Sequence, residues 1–192
     1  MDHQDQDTPF HLLFVCTGNT CRSPMAEVVA RRLAERRGLS RLEVRSAGVA
    51  AIPGMEAAGG AIRVSRRRGL DLDQHRSRPL DPNLAAWADL ILTMSPSHLA
   101  GVAAAGGGDH AAVITSFQSP ESSEERPLSR SASVGVADPF GGPDELYEMT
   151  MDELERLVEG VLDRIASSLR SSEGPDSAAP GADQSTKQDR SP

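Results

Sequence analysis

Cysteine is scarce in this sequence, with two residues among 192, and no run of apolar side chains is long. Cys16 and Cys21 lie five positions apart in one short stretch, a spacing that cannot link distant parts of a secreted fold. The pair also has no partners at the spacing of a zinc site, so no metal site is predicted. No apolar run approaches the roughly 18 to 20 residues of a membrane-spanning helix. Because residues 1–10 are acidic and polar, unlike a secretory signal peptide, we expect a cytoplasmic protein.

Positive charge is also in deficit, and the net charge of −8 argues against a general binder of nucleic acid or of anionic membranes. The arginines are nevertheless clustered in two segments. We interpret both clusters as solvated helix faces rather than as a docking patch. They comprise Arg31, Arg32, Arg36 and Arg37 in the first segment and Arg63, Arg66, Arg67 and Arg68 in the second.

The segment from Cys16 to Ser23 reads CTGNTCRS and joins an apolar run at residues 11–15 to a segment typical of a helix. It is therefore predicted to be a strand-to-helix turn. Backbone N–H groups converge in such a turn and, with the positive end of the helix dipole, form a site for a tetrahedral anion. Gly18 is expected to supply the backbone freedom that the turn needs.

Two side chains in this turn are suited to a reaction at a bound anion. The converging amides would stabilise Cys16 as a thiolate, which is the nucleophilic form of cysteine. Six residues later, Arg22 offers a planar fork of donors that can hold two oxygens of a phosphoryl group. Ser23 can cap the following helix, and its hydroxyl can also stabilise the sulfur. The spacing predicts phosphoryl transfer to sulfur, and the alternative is a buried structural cysteine.

Short apolar runs alternate with helical patterns along the chain. Strands are predicted at residues 11–15, 42–47, 90–94 and 112–114, with the second near a sheet edge. Helices are predicted from Ser23-Pro24 to Gly38, at 57–68, at 84–87, from Ser95-Pro96, and from Thr150, where Thr150 and Glu153 would form a capping box. This order predicts an α/β fold, a four-stranded parallel sheet with helices on both faces.

The domain is predicted to span residues 11–170, between a flexible leader at 1–10 and a disordered tail at 171–192 that lacks large apolar residues. Residues 118–137 are polar and rich in serine and proline. A connection of that length is usually functional or disordered, and both interpretations stay open.

Thiolate attack on phosphorus expels a poor leaving group, so a proton donor is required on the far side of the phosphoryl group. Asp138 precedes Pro139, which restrains the backbone just after the carboxylate, and it is the candidate general acid. The alternative is an ordinary Asp-Pro turn. Phe140 is either a wall of the substrate cleft or a core aromatic.

Residues 14–27, FVCTGNTCRSPMAE, resemble the signature of the low-molecular-weight protein-tyrosine-phosphatases, because other loop residues stand in register with Cys16 and Arg22. The likeness covers roughly residues 11 to 169. It implies a flavodoxin-like four-stranded parallel sheet in the order 2-1-3-4 and a phosphatase of phosphorylated proteins that uses no cofactor or metal. It also supports Asp138 as the general acid, since the family carries this group in an Asp-Pro-aromatic motif.

The resemblance implies further site residues. The substrate-binding set is Thr17, Gly18, Asn19, Thr20, Cys21, Ser23 and Phe140. Asn19 would hydrogen-bond within the loop, with His75 and Ser77 as supporting partners near it, although a histidine in a connector can also be an ordinary surface or satisfied residue. Cys21 resembles the second loop cysteine of the family, which could form a reversible disulfide with Cys16.

Thr20 bears on the substrate, because tyrosine-directed members usually carry an aliphatic residue there. The loop CTGNTCRS, RSAGV at 45–49 and DPFGG at 138–142 resemble the bacterial protein-arginine-phosphatases. A hydroxyl beside the phosphoryl pocket slightly favours phosphoarginine over phosphotyrosine, unless Thr20 merely fills space. An arsenate reductase of this fold would need two later cysteines that the sequence lacks, and a phosphocysteine carrier would have no use for Asp138.

Overall fold

The structure is a computed structural model that describes residues 8–117 and 135–171. Its four strands form one parallel sheet in the order β2-β1-β3-β4. The strands are β1 Phe10–Cys16, β2 Leu42–Gly48, β3 Leu90–Thr93 and β4 Ala111–Val113. The predicted sheet, its order and the edge position of the second strand are confirmed, and each predicted strand boundary lies within one residue of the observed one.

Helices connect and cover the strands. They are α1 Arg22–Arg36, α2 Gly59–Arg67, α3 Pro82–Trp87, α4 Leu99–Ala104 and α5 Asp144–Ser171, with short 3₁₀ helices at Pro96–His98, Gly108–His110 and Ile114–Phe117. None of the helices within the described residues is long and apolar enough to cross a membrane. Residues 1–7 of the predicted leader, 118–134 of the predicted loop and 172–192 of the predicted tail lie outside the described residues.

The start of α1 differs from the prediction. The helix begins at Arg22 with Cys21 as its N-cap, so the expectation that Ser23 caps the helix is wrong. The hydroxyl of Ser23 is instead directed to other partners, since it lies 3.0 Å from Cys16 Sγ.

The start of α5 differs as well. The helix begins at Asp144, six residues before Thr150, so the predicted capping box is wrong. Thr150 lies inside the helix, where its hydroxyl donates to the carbonyl of Leu146 at 2.8 Å. Asp144 and Glu145 occupy the first turn, where carboxylates interact favourably with the helix dipole.

The central strand β1 places apolar side chains on both faces of the sheet. Leu12 and Phe14 contribute to the core that α1, α2 and α5 share, whereas Leu13 and Val15 pack with residues of α3 and α4. All four of these side chains are fully buried. The predicted placement of helices on both faces is therefore confirmed, and the carboxyl end of β1 carries Cys16 to the edge where ligands bind in open α/β sheets.

Candidate active site

Cys16 lies at the carboxyl end of β1, in the lining of a cavity of about 330 Å³. The structure brings Arg22 and Asp138, which are 116 positions apart in sequence, to the same cavity. Its full lining is Cys16, Thr17, Gly18, Thr20, Cys21, Arg22, Ala50, Ile52, Met55, Asp138 and Phe140. Eight of these eleven residues are candidates from the sequence, while Ala50, Ile52 and Met55 come from the connection after β2.

The sulfur of Cys16 is held by two polar contacts. The backbone N–H of Asn19 donates to Sγ at 3.2 Å, and the hydroxyl of Ser23 lies 3.0 Å from it. Both Asn19 and Ser23 are fully buried behind the sulfur, so they contact the nucleophile rather than form the cavity wall. The Asn19 N–H donates to the sulfur, whereas the one hydroxyl proton of Ser23 is shared between Sγ and the carbonyl of Ala47, which lies 3.2 Å from Ser23 Oγ.

Asn19 fixes the shape of the loop. Its backbone adopts φ 54°, a left-handed conformation that asparagine tolerates better than most residues, whereas Gly18 has no positive φ. The expectation that Gly18 supplies the required backbone freedom is therefore wrong. The Asn19 side chain donates to Ser23 Oγ at 3.0 Å and to Ser46 Oγ at 2.8 Å, and its Oδ1 accepts from the N–H of Arg78 at 2.9 Å.

Ser46 and Glu27 extend the hydrogen-bond network around Asn19, and neither residue was identified from the sequence. The hydroxyl of Ser46 donates to Glu27 Oε2, and the other carboxylate oxygen of Glu27 lies 2.6 Å from Arg31. Glu27 is buried on α1 between apolar neighbours. An acidic residue on the apolar face of a helix was the signal that could have identified it, because buried carboxylates are normally paired.

Gly48, at the end of β2, was also missed. A Cβ at this position would lie 2.5 Å from the carbonyl oxygen of Thr17 and 2.9 Å from the amide of Asn19. Only glycine therefore lets β2 approach the loop this closely. The following amides use this approach, because Val49 N–H donates to the carbonyl of Cys16 and Ala50 N–H to that of Thr17, both at 2.9 Å.

His75 and Ser77 act on different parts of the site. His75 Nε2 donates to the carbonyl of Asn19 at 2.7 Å, and burial lowers the pKa of this imidazole. Ser77 does not reach the loop: its hydroxyl donates to the carbonyl of Ile52 at 2.5 Å and accepts from the amide of Met55 at 2.9 Å. It thereby supports the turn that brings Ile52 and Met55 to the cavity.

The guanidinium of Arg22 is buried and makes two contacts. Nη1 donates to the carbonyl of Val136 at 3.3 Å, and Nη2 lies 2.5 Å from Asp138 Oδ2. Asp138 is half exposed, and its Oδ1 accepts from the N–H of Phe140 at 3.2 Å. Phe140 is 72% exposed at the cavity wall, which rules out its alternative interpretation as a core aromatic.

The second cysteine differs from the first in its surroundings. Cys21 Sγ lies 3.7 Å from both Thr20 Oγ1 and the hydroxyl of Tyr147, and both cysteines are free. Burial raises the pKa of the Cys21 thiol, so this residue stays protonated at neutral pH. Tyr147 was not identified from the sequence, because it lies before the helix that was predicted to begin at Thr150.

Together these groups provide what a displacement at phosphorus requires: a sulfur nucleophile, a backbone amide that donates to it, a buried cation and a carboxyl group in the cavity lining. Among residues 8–117 and 135–171, no group of three or more His, Cys, Asp or Glu side chains is arranged to hold a metal ion.

Comparison with known proteins agrees with this chemistry. Residues 11–171 match the family model described as low molecular weight phosphotyrosine protein phosphatase. The chain is 40% identical over 147 residues to the protein-arginine-phosphatase of Bacillus subtilis (strain 168), covering 77% of this chain and 91% of that protein. It is 36% identical over 161 residues to the protein-arginine-phosphatase of Geobacillus stearothermophilus, covering 82% and 97%.

A solved structure of similar fold bears on the nucleophile. The Cys-to-Ser mutant of the arginine phosphatase YwlE, with a phosphorylated active site serine, matches with a TM-score of 0.73 and 34% identity, over 84% of this chain and 99% of that chain. In that protein the residue that replaces a cysteine carries the phosphoryl group.

Proposed function

The chain belongs to the low molecular weight phosphotyrosine protein phosphatase family, and we propose that it removes phosphate from phosphoarginine in proteins in preference to phosphotyrosine. It is a cysteine-dependent protein phosphatase, as are its relatives. The observation that carries the substrate proposal is Thr20, whose side chain lines the cavity beside Cys16. The relatives named protein-arginine-phosphatases support the same choice.

In the first step, Cys16 Sγ attacks the phosphorus atom, and the bond from phosphorus to the guanidine nitrogen breaks. Asp138, in its protonated form, gives its proton to that nitrogen, so the arginine leaves as a neutral or cationic guanidine rather than as an anion. The developing charge on the phosphoryl oxygens is stabilised by Arg22 and by the amides of the loop.

In the second step, Asp138, now a carboxylate, accepts a proton from water while the water oxygen attacks the phosphocysteine. The S–P bond breaks, inorganic phosphate leaves, and Cys16 returns as a thiolate. The hydroxyl of Ser23, 3.0 Å from Sγ, stabilises this leaving sulfur.

Thr20 favours a guanidinium leaving group for a physical reason. A phosphoarginine places a planar group with several N–H donors where a phosphotyrosine places an aryl ring. A threonine hydroxyl can accept a hydrogen bond from the former, whereas covering it with the ring leaves the hydroxyl without water. The net charge of −8 agrees with a protein partner rather than a nucleic acid.

A tyrosine-directed phosphatase is the second candidate, because the mouth of the cavity is apolar. Ile52 is 68%, Met55 50% and Phe140 72% exposed. All three line the cavity, and such a rim can pack against an aromatic ring as well as against the methylene groups of an arginine.

The test compares kcat/KM on peptides of one sequence that carry either phosphoarginine or phosphotyrosine at the same position, since the ratio of these constants defines specificity. We expect the larger value with phosphoarginine, and no turnover of either peptide by the Cys16→Ser variant. A larger value with phosphotyrosine would select the second candidate. Turnover by Cys16→Ser would overturn the covalent mechanism for both substrates.

A further inference from the structure

A histidine outside the assigned site contacts the loop that holds the nucleophile. His98 ends the 3₁₀ helix Pro96–His98, and its Nε2 lies 3.0 Å from Thr17 Oγ1, 81 positions away in sequence. The imidazole is buried, with 3% of its surface exposed. Thr17 is exposed and lines the same cavity as Cys16 and Arg22. The pair therefore joins a buried ring to a hydroxyl at the reaction site.

The surroundings of His98 determine which nitrogen carries the proton. Nδ1 is buried and has no hydrogen-bond partner among the described residues. A proton there would leave a buried N–H unpaired, which costs more free energy than an unpaired nitrogen lone pair. Burial lowers the pKa of His98, and the positive charge of Arg22 lowers it further, although Asp138 opposes this effect. The ring is therefore neutral at pH 7, with its one proton on Nε2.

This tautomer fixes the direction of the hydrogen bond. His98 Nε2–H donates to Thr17 Oγ1, so the oxygen of Thr17 acts as the acceptor. The proton of the Thr17 hydroxyl is then free to be donated elsewhere, and the side chain lies in the wall of the cavity. If Thr17 instead donated to His98, its hydroxyl proton would be occupied within the protein and could not be donated to a ligand in the cavity.

We propose that the Thr17 hydroxyl donates a hydrogen bond to the bound phosphoryl group, and that His98 is the positioning residue that directs it. The inference rests on the proposed phosphatase function but not on the identity of the leaving group. Arg22 and the backbone amides already contact the phosphoryl oxygens in the proposed mechanism. Thr17 adds a neutral donor, which strengthens anion binding without adding charge to the site.

The experiment measures the Kd of inorganic phosphate by calorimetry in four single variants. Thr17→Val removes the hydroxyl and keeps the shape, whereas Thr17→Ser keeps the hydroxyl. His98→Met removes the donor, whereas His98→Gln retains an amide N–H in place of Nε2–H. We expect Thr17→Val and His98→Met each to weaken phosphate binding about tenfold, the size of one hydrogen bond to a charged group, and the two conservative variants to bind within about twofold of the wild type.

The double variant Thr17→Val/His98→Met separates positioning from general structural damage. If His98 acts through Thr17, the double variant binds phosphate no more weakly than Thr17→Val alone. Additive losses, or a loss in His98→Met without one in Thr17→Val, would overturn the proposal. Thr17→Val is an exposed substitution, so it reports on the hydroxyl even if a His98 variant fails to fold.

An NMR measurement tests the same arrangement without substitutions. The ¹⁵N shifts of His98 should show a neutral ring protonated at Nε2 at pH 7, and the Nδ1–H tautomer would overturn the assigned direction. These outcomes are independent of the substrate test: a preference for phosphotyrosine peptides would overturn the proposed substrate and leave the phosphate affinities unchanged. If none of the variants binds phosphate more weakly than the wild type, the proposed role of Thr17 and His98 is overturned. The proposed phosphatase function would not be affected by that result.

Discussion

The guanidinium of Arg22 lies 2.5 Å from the carboxylate of Asp138, so the proposed phosphate-binding group and the proposed general acid share one hydrogen bond. A phosphoryl group held by Arg22 competes with Asp138 for the same Nη2 donor. Substrate binding would therefore release the carboxyl group toward the leaving atom at the moment when a proton donor is required. The contact also means that each residue affects more than one step of the reaction.

Asp138→Ala should lower kcat by about 10² to 10⁴ on substrates with basic leaving groups, because no group then protonates the leaving atom. The same variant should bind inorganic phosphate more tightly, because the carboxylate no longer competes for Arg22. Steady-state kinetics and calorimetry measure the two effects. Asp109→Ala is the matched control, because it removes an exposed carboxylate that is not part of the cavity lining. Unchanged kcat in Asp138→Ala would remove the residue from the mechanism.

Ser23→Ala should lower kcat about ten- to a hundredfold, because the leaving thiolate of Cys16 loses a hydrogen bond worth this factor. The loss should fall on the second step, so a burst of product followed by slow turnover is expected in stopped-flow experiments. Ser116→Ala is the control, since that hydroxyl donates to the carbonyl of Val113. Equal slowing of burst and turnover would count against this role of the hydroxyl.

Cys21→Ser should abolish the recovery of activity after peroxide treatment. Peroxide oxidises the Cys16 thiolate to a sulfenic acid with release of water or hydroxide, and the Cys21 thiol then attacks that sulfur, releases water and forms the disulfide. A thiol reductant reverses the disulfide but not the higher oxides of Cys16. The measurement is activity after peroxide and then dithiothreitol, and recovery equal to that of the wild type would exclude Cys21 as the resolving residue.

Thr20→Ile should shift preference toward phosphotyrosine, because a branched aliphatic side chain removes the hydroxyl from the cavity wall and can pack on a ring. We expect the ratio of kcat/KM for phosphoarginine over phosphotyrosine peptides to fall about tenfold. Thr20→Ser, which keeps the hydroxyl, is the matched variant and should retain the wild-type ratio. An equal ratio in wild type and Thr20→Ile would mean that Thr20 only fills space.

Asp144→Asn should lower the melting temperature in a pH-dependent way. Hydrogen bonds from Arg63 hold the pKa of Asp144 at about 2, below its ordinary value of 3.8. Because the folded-state pKa is depressed, the stabilisation is present above pH 4 and is lost as the pH falls toward 2. The difference in melting temperature between wild type and variant should shrink over that range. It should also shrink in 1 M salt, since these side chains are partly exposed. A pH-independent difference would contradict the ion pairing.

The parts of this protein that depend on local patterns were predictable from the sequence. The apolar run at residues 11–15 identified the central strand, because strands covered on both faces are continuously apolar. The spacing of Cys16 and Arg22 predicted that the two side chains share one site, and both line the same cavity because they belong to one turn.

Features that depend on contacts between distant segments were not predictable. Gly48 is required by the approach of β2 to the loop, and nothing beside it in sequence indicates that approach. The left-handed residue is Asn19 rather than its glycine neighbour, because the Asn19 side chain is fixed by Ser46 and Arg78. The start of α5 was mispredicted because aspartate and threonine are both common at helix N-termini, so Asp144 and Thr150 were both plausible starts in the sequence.

The hydrogen bonds that surround Asn19 also have a thermodynamic consequence for ligand binding. The loop is held at Asn19 by His75, Ser46 and Arg78, all of which belong to other segments, so its backbone is already fixed before any anion arrives. An anion then binds without the entropic penalty of ordering the backbone, which costs about 1 to 2 kcal/mol for each residue that must be fixed. In the proposed mechanism, the affinity for phosphate would therefore depend partly on residues that do not contact the anion, and loosening any one of them would raise the entropic penalty of binding.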